Sequence, residues 1–351
     1  MESRVDRRLP DCSTLAAILF PTFVCAAMVA IAIVAVSLAD VDVHPLLSYL
    51  ECAIVTLLCV LCFVFIDVLR LAFAHADEPL KVIRDKLDDR WPLLVLPALV
   101  LPIFLMGYTA AKCSIPYLVG YTWDGFWASV DRLLFGNDVW RIARGLLGSS
   151  HEGVWEWYYS FVWVNLFLVV ANSIAYYGKR RFVGIYFTAM LGTWLVGGCV
   201  MAYTFSAAGP VFAPSFDASL SERFRPLVNL MSMSVGSGPI PTSQYYLQVA
   251  VQNHIAAKGG GISAMPSMHL GAASVYVLAA RRTKWLVPAV LFWVTIFFLS
   301  GYFGFHYWVD GIVAAGVAAG CWFAAEAVYS IKGRYHRAFS HGPELRAVRV
   351  I

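Results

Sequence analysis

Eight mostly apolar segments constrain the fold of this chain more than any other feature of its sequence. A helix needs about 20 consecutive apolar residues to cross the hydrocarbon core of a bilayer. The segments cover residues 14–38, 46–70, 92–112, 155–177, 182–205, 267–280, 285–303 and 309–331. Of the 351 residues, 60% are hydrophobic and only 14% are charged, whereas a soluble domain has about 25% charged residues. We therefore expect an all-α polytopic membrane bundle with eight transmembrane helices.

The basic residues predict how these helices are oriented. The termini and one set of connections hold 18 of the 26 Lys and Arg residues, and the opposite set of connections holds 7. Cytoplasmic loops carry the excess of Lys and Arg. We therefore predict cytoplasmic N and C termini and two long outward loops, 113–154 and 206–266. The membrane would be a plasma or inner membrane in a bacterium, or a Golgi-type membrane in a eukaryote.

The first outward loop alternates aromatic and charged residues, which is typical of helices that lie in the membrane interface. The two stretches are 123–127 and 139–144, separated by Gly136-Asn137-Asp138. We expect two amphipathic helices here, with Asp138 as the N-cap of the second. They either anchor the protein or shape a lipid entrance. The second outward loop is rich in turn-forming residues, and we expect no spanning segment in it.

Two histidines stand where an outward loop meets a spanning segment. His269 follows Pro266 in the first turn of the sixth segment, where free backbone amides favour an anion. His306 precedes Asp310 by four residues, so both lie on one helix face. The expected task of Asp310 is to accept a hydrogen bond from one imidazole nitrogen and leave the other basic.

Topology places these groups together. The sixth segment runs inward and the seventh returns outward, so His269 and His306 must lie at the same membrane face. Two histidines and a carboxylate beside free amides predict chemistry on a phosphate ester. We expect no cofactor and no metal site. The alternative is a Zn or Fe site completed by His254 or Asp217, because two histidines and a carboxylate can bind these metals.

The sequence motifs resemble those of a known family. Pro266-Ser267-Met268-His269 and His306-Tyr-Trp-Val-Asp310 resemble the second and third motifs of the type 2 phosphatidic acid phosphatase superfamily. The stretch 261–269, with Ala207-Ala208-Gly209-Pro210 upstream, is similar to its inositol phosphorylceramide synthase branch. The resemblance implies a six-helix catalytic core in residues 92–331, two additional helices and a cytoplasmic loop in 1–91, and a basic cytoplasmic tail in 332–351.

The resemblance also implies catalytic roles. His306 would attack phosphorus and become phosphohistidine, Asp310 would orient and polarise it, and His269 would protonate the leaving oxygen. The reaction would proceed without a metal, in two displacements, with water or an alcohol as the second acceptor. An imidazole supported by a carboxylate is a competent nucleophile, and a second histidine can act as acid and then base.

Two departures from the family pattern leave the cation that holds the phosphoryl group open. The first motif lacks its lysine, because Ala218 stands seven residues before Arg225-Pro226. Ser300 replaces an arginine that often precedes the third motif, an absence shared by the branch named above. The candidate substrate-binding residues are Arg223, Arg225, Lys258, Gly260, Gly261 and Ser267.

The predicted function is a metal-independent lipid phosphotransferase or phosphatase of the inositol phosphorylceramide synthase type. The sixth segment is short, so His269 would lie at headgroup depth, which favours a membrane lipid substrate with a water or lipid-alcohol acceptor. Nucleic acid is not an expected partner, and the sequence does not identify any protein partner. One alternative is a hydrolase of lipid phosphates or polyprenyl diphosphates. Another is a non-enzymatic lipid-binding or transport protein.

Overall fold

A computed structural model describes residues 12–340, with only the backbone described from residue 331 onward. The basic residues Arg4, Arg7, Arg8, Arg346 and Arg349 that entered the orientation count, and the last residues of the predicted tail, lie outside this part. The described chain is all-helical, with no strand beyond two isolated bridges. Its helices are α1 (Cys12–Ala39), α2 (His44–Phe73), α3 (Pro79–Leu118), α4 (Asp124–Phe135), α5 (Val139–Leu147), α6 (Glu152–Tyr177), α7 (Arg180–Thr204), α8 (Ser221–Met233), α9 (Pro239–Gln252), α10 (Met268–Ala280), α11 (Leu286–Tyr302) and α12 (Trp308–Ser340).

Six of these helices are long and apolar enough to cross a bilayer, namely α1, α2, α3, α6, α7 and α12. The chain is therefore an integral membrane protein. Two shorter apolar helices, α10 and α11, have 13 and 17 residues and correspond to the sixth and seventh predicted segments. By length and composition the structure thus supports six of the eight predicted spans.

The first helix packs against the most buried part of the bundle, although only 28% of its own most apolar window is buried. It contacts α3 and α7, the two most buried long helices. Near its start, the Tyr329 hydroxyl donates a hydrogen bond to the Ala16 carbonyl oxygen at 3.1 Å, and the Tyr329 ring meets Phe20. By contrast, only 11% of the most apolar window of α2 is buried. The two N-terminal helices therefore differ, because one face of α1 contributes to the core and α2 lies at the periphery.

The two long loops contain more structure than a connection. The pair of helices expected in 113–154 is present as α4 and α5. Asp138 does precede α5, but its side chain makes no capping bond. Its carboxylate instead accepts a hydrogen bond from Arg223 at 2.7 Å, because the charged partner is nearby in space. The second loop folds into α8 and α9, which its turn-rich composition did not predict.

Candidate active site

Backbone hydrogen bonds join the segments that carry the two histidines. The Ser267 N–H donates to the Asp310 carbonyl oxygen at 3.2 Å, so the starts of α10 and α12 are directly linked. Gly209 lies against the residue before His306. A Cβ built at Gly209, whose φ is +95°, would lie 2.3 Å from the Phe305 carbonyl oxygen. Only glycine fits this approach of the 207–210 stretch.

The structure brings His269 and His306 together at this end of the bundle. Their ring centroids are 5.8 Å apart and their planes are inclined at 65°. The side chain of His306 is almost fully buried, while that of His269 is partly exposed, and both line one cavity. The two imidazoles can therefore face the same bound group.

The proton on His306 is fixed by a backbone carbonyl. Its Nδ1 lies 2.8 Å from the carbonyl oxygen of Ala264 and 3.5 Å from Oδ2 of Asp310. A carbonyl oxygen can only accept a hydrogen bond, so Nδ1 carries the proton and Nε2 keeps its lone pair. This corrects the expected direct role of Asp310, because the Ala264 carbonyl is the nearer acceptor.

The surroundings of His306 favour its neutral form. Burial and the nearby charge of Lys112 lower the pKa of His306 to about 3, and the bond to Ala264 opposes this shift only in part. The imidazole is therefore neutral at physiological pH. A neutral imidazole with a free Nε2 is the form that can attack an electrophile.

Asp310 lies behind His306 and is completely buried. Its Oδ2 accepts a hydrogen bond from the Tyr307 N–H at 2.9 Å. Its Oδ1 has no hydrogen-bond partner within the described chain. The carboxylate thus shapes the turn before α12 and keeps acceptor capacity for a positive charge that develops on the imidazole.

Aromatic rings on α6 hold His269. Its ring stacks on Tyr159 at a centroid distance of 4.7 Å and lies 4.4 Å from the ring of Trp163. The Trp163 indole N–H also donates to the His269 carbonyl oxygen at 3.3 Å. These contacts fix the position of the ring at the wall of the cavity.

The cavity has a volume of about 470 Å³. The two histidines, the glycine-rich segment 259–261 and Lys112 form its polar end. Apolar and aromatic side chains of α2, α3, α6 and α9 line the remainder. A pocket with one polar end and apolar walls fits an amphiphilic ligand.

Lys112 is a residue of this site that the sequence analysis did not select. It ended the third predicted segment and counted only as one of the few outward charges. In the structure a Cβ built at Gly260 would lie 4.0 Å from its Nζ. Within residues 12–340 it makes no ion pair, and its nearest aromatic partner is the Tyr108 ring at 5.9 Å. Its position on the helix that precedes the first outward loop was the only available signal.

The predicted substrate-binding residues have different positions. Gly260, Gly261 and Lys258 line the cavity, and Lys258 also pairs with Glu51 at 3.1 Å. Ser267 is completely buried behind the cavity surface. Arg223 and Arg225 do not reach the cavity. Arg223 is held by Asp138 and by the Ala128 carbonyl oxygen, and exposed Arg225 faces Glu222.

Two buried carboxylates on α4 hold the site segments in place, and the sequence analysis selected neither. Asp124 accepts hydrogen bonds from the Ala208 and Gly209 N–H groups at 2.7 and 2.8 Å and from the Tyr307 hydroxyl at 3.0 Å. Asp131 accepts a bond from the Val309 N–H at 3.1 Å. Burial raises the pKa of both carboxyls, that of Asp131 to about 7.

The metal alternative finds no donor set in the described part of the chain. No group of three His, Cys, Asp or Glu side chains there is arranged to hold a metal ion. Of the two residues considered as additional ligands, His254 stacks on Tyr117 and Asp217 accepts bonds from Ser219.

Comparison with known families decides the classification. The family model described as PAP2 superfamily matches residues 129–324, more than half of the chain. The chain belongs to the PAP2 superfamily. The match contains His269, His306 and Asp310 and begins after α3. No curated protein and no solved structure matches the chain.

PAP2 membership gives the site its chemical context. Members of the superfamily are phosphatases and phosphotransferases, and the long apolar helices of this PAP2 protein fit a membrane enzyme that acts on lipid phosphates. Lys112 and the helices α1 to α3 lie outside the matched region. They are therefore features of this PAP2 chain that the family comparison does not describe.

Proposed function

We propose that this PAP2 protein is a metal-independent lipid phosphotransferase that acts through a phosphohistidine at His306. The main supporting observation is the hydrogen bond from Nδ1 of His306 to the Ala264 carbonyl, which leaves Nε2 unprotonated beside the cavity. The stacked position of His269, 5.8 Å away between ring centroids, supplies a second proton-transfer group.

The reaction consists of two displacements at phosphorus. In the first, Nε2 of His306 forms a bond to phosphorus, the bond to the leaving lipid oxygen breaks, and His269 gives that oxygen a proton. In the second, His269 takes the proton from the acceptor hydroxyl, whose oxygen bonds to phosphorus while the bond to Nε2 breaks. Asp310, 3.5 Å from Nδ1, stabilises the positive imidazole of the intermediate.

Lys112 takes the place of the cation that the family's first motif would supply. It lies at the polar end of the cavity beside Gly260 and is free of an ion pair within the described chain. A lysine and backbone amides are a common combination for holding a phosphoryl group. Lys258 can assist only by leaving Glu51.

The acceptor we propose is a lipid alcohol, as in the inositol phosphorylceramide synthase branch that the 261–269 stretch resembles. Water would make the same enzyme a lipid phosphate hydrolase. Because transfer and hydrolysis use the same residues, the two reactions are distinguished by their products, measured with and without an added alcohol lipid. A protein that only binds or transports lipids would form neither product.

The proposed arrangement in the membrane has eight spans. The helices α10 and α11 would complete the six long ones, with arginines at the inner end of α10 reaching the interface. The excess of Lys and Arg at the end opposite the site supports cytoplasmic termini and a site at the non-cytoplasmic face.

Lipid turnover in excess chelator tests the proposal. Purified protein receives a panel of phospholipids and lipid phosphates, with and without an alcohol lipid, in EDTA. We expect activity in the wild type, a loss of at least about 10³-fold in His306→Ala, and a phosphorus adduct on His306 after a quench without acid. His254→Ala, a histidine outside the cavity, should retain activity. Full activity of His306→Ala would overturn the proposed nucleophile, and inhibition by EDTA would overturn the metal-free route.

A further inference from the structure

The apolar part of the cavity extends well away from the histidines, along the helix α6. Tyr159, which contacts His269, and Leu168 both line the cavity and are nine residues apart on this helix. At about 1.5 Å per residue this separation is about 14 Å. On α3, Lys112 and Leu105 line the same cavity. They are seven residues apart, which corresponds to about 10 Å along the helix axis. A phosphate group alone would not occupy this length.

One wall of this apolar part comes from α2, which lies outside the region matched by the PAP2 family. Cys52 and Val55 of α2 line the cavity opposite Val164 and Leu168 of α6. We call the space between these four residues the α2–α6 cleft. Val164 is 47% exposed although it lines the cavity, so the cleft opens at the side of the bundle. That side faces the bilayer, because both helices are candidate membrane spans.

The two helices close the cleft further from the site. The Phe63 ring lies 5.5 Å from the Tyr176 ring and 5.4 Å from the Tyr177 ring. The Tyr176 hydroxyl also donates a hydrogen bond to Asp67 at 3.0 Å. The cleft is therefore open in its outer half, next to the histidines, and sealed at the other end of the bundle.

The start of α2 is also tied to the glycine-rich segment at the polar end. Glu51 pairs with Lys258 at 3.1 Å, and the Tyr49 hydroxyl accepts a hydrogen bond from the Gly259 N–H at 2.9 Å. Tyr49 contacts the Thr109 hydroxyl of α3 as well, at 3.1 Å. The same helix thus supports the proposed phosphate-binding segment and forms the apolar wall below it.

We propose that the α2–α6 cleft binds a hydrocarbon chain of the substrate lipid, with the phosphate held at the histidines. The occupant follows from continuity, because the cleft and the polar end form one cavity that opens toward the bilayer. The inference rests on the proposed function, because that proposal places the phosphate at the histidines. It adds a binding site for the lipid chain and a task for a helix outside the family region.

Chain-length selectivity tests this assignment. Val55→Trp and Val164→Trp narrow the cleft, and Ile54→Trp and Val169→Trp, at exposed positions on the same helices that do not line the cavity, are matched controls. The substrates are dioleoyl phosphatidic acid and its short-chain, water-soluble dihexanoyl analogue. We expect the cleft variants to lose about tenfold or more in kcat/KM for the dioleoyl lipid and to keep the dihexanoyl activity. Equal losses on both substrates, or no loss on either, would overturn the assignment.

Photo-crosslinking separates failure of this inference from failure of the proposed function. A long-chain alkyl phosphate with a diazirine near the chain end is added to the wild type and to His306→Ala. We expect labelled peptides from α2 and α6 in both proteins, reduced by Val55→Trp and unchanged by Ile54→Trp. Labelling without any turnover would contradict the proposed function alone. If the wild type turns over lipid but Val55→Trp does not reduce the labelling, the cleft assignment alone would be contradicted.

Discussion

Two neighbouring regions at one end of the bundle differ in whether their polar side chains have hydrogen-bond or ion-pair partners. Around α4, the carboxylates of Asp124 and Asp131 accept bonds from backbone N–H groups, and Asp138 pairs with Arg223. In the cavity, Lys112 has no ion pair within the described chain, and Oδ1 of Asp310 has no partner there. Both regions are polar, but the carboxylates of the first are bonded, whereas Lys112 and Oδ1 of Asp310 in the second keep unused capacity.

This difference separates supporting residues from reacting ones. A buried polar group without a partner costs about 1–3 kcal/mol, so it persists where a ligand or a reaction uses it. A carboxylate that accepts bonds from backbone N–H groups fixes the segments that carry those groups. We therefore expect substitutions in the cavity to change catalysis and substitutions around α4 to change mainly stability.

The largest expected effect that tests this contrast comes from the cavity lysine. Lys112→Met keeps the length of the side chain and removes the charge that would hold the phosphoryl group. Loss of one such electrostatic contact costs about 10²-fold to 10³-fold in kcat. Steady-state turnover of a lipid phosphate measures it. Lys258→Met is the matched control, because Lys258 lines the same cavity but is paired with Glu51, and it should lose less than about tenfold. A reversed order would show that the paired lysine binds the phosphate.

The fold was predictable where hydrophobic length determines it. The apolar segments located the long helices, because a bilayer sets one required length for all of them. The same reasoning did not show that α1 packs against α3 and α7, since apolar composition does not identify the packing partners of a helix. It also missed α8 and α9, because prolines in the first turn of α9 are compatible with a helix and Pro226 lies inside α8.

The site was predictable only in part, for a related reason. His269 and His306 could be placed together because topology brings two helix starts to one membrane face. The bond from His306 to Ala264 could not be predicted, because a backbone carbonyl has no signature in the sequence. Lys112 was missed since a lysine at a helix end is usually a solvated or interfacial residue.

A smaller effect is expected at Asp310, which belongs to the cavity but acts from behind His306. Asp310→Asn should lower kcat by about 10-fold to 10²-fold, less than the roughly 10⁴-fold loss found where the carboxylate is the direct partner of the imidazole. The reason is that the Ala264 carbonyl, not Asp310, is the nearer acceptor for Nδ1. Single-turnover rates of phosphohistidine formation measure it, with Asp217→Asn as a control outside the cavity. A 10⁴-fold loss would mean that Asp310 replaces Ala264 as the partner during the reaction.

The smallest effect on activity is expected at Asp131, where the α4 region should respond in stability instead. Burial raises the pKa of Asp131 to about 7, against the bond from Val309 N–H and the charge of Arg223, which lower it. Between about pH 4 and pH 7 the folded protein then binds a proton that the unfolded chain releases, so this group makes stability fall as pH rises through that window. Asp131→Asn keeps an oxygen acceptor for Val309 and cannot ionise.

Thermal unfolding in detergent at several pH values isolates this contribution of Asp131. Relative to Asp131→Asn, the wild type should lose stability from about pH 4 to pH 7, by at most about 4 kcal/mol, and change no further above that. Turnover of the variant should stay within about threefold of the wild type, because the group touches no cavity residue except through the backbone of α12. Parallel stability curves would show that Asp131 is ionised throughout. A large loss of turnover would erase the distinction between the two regions at this position.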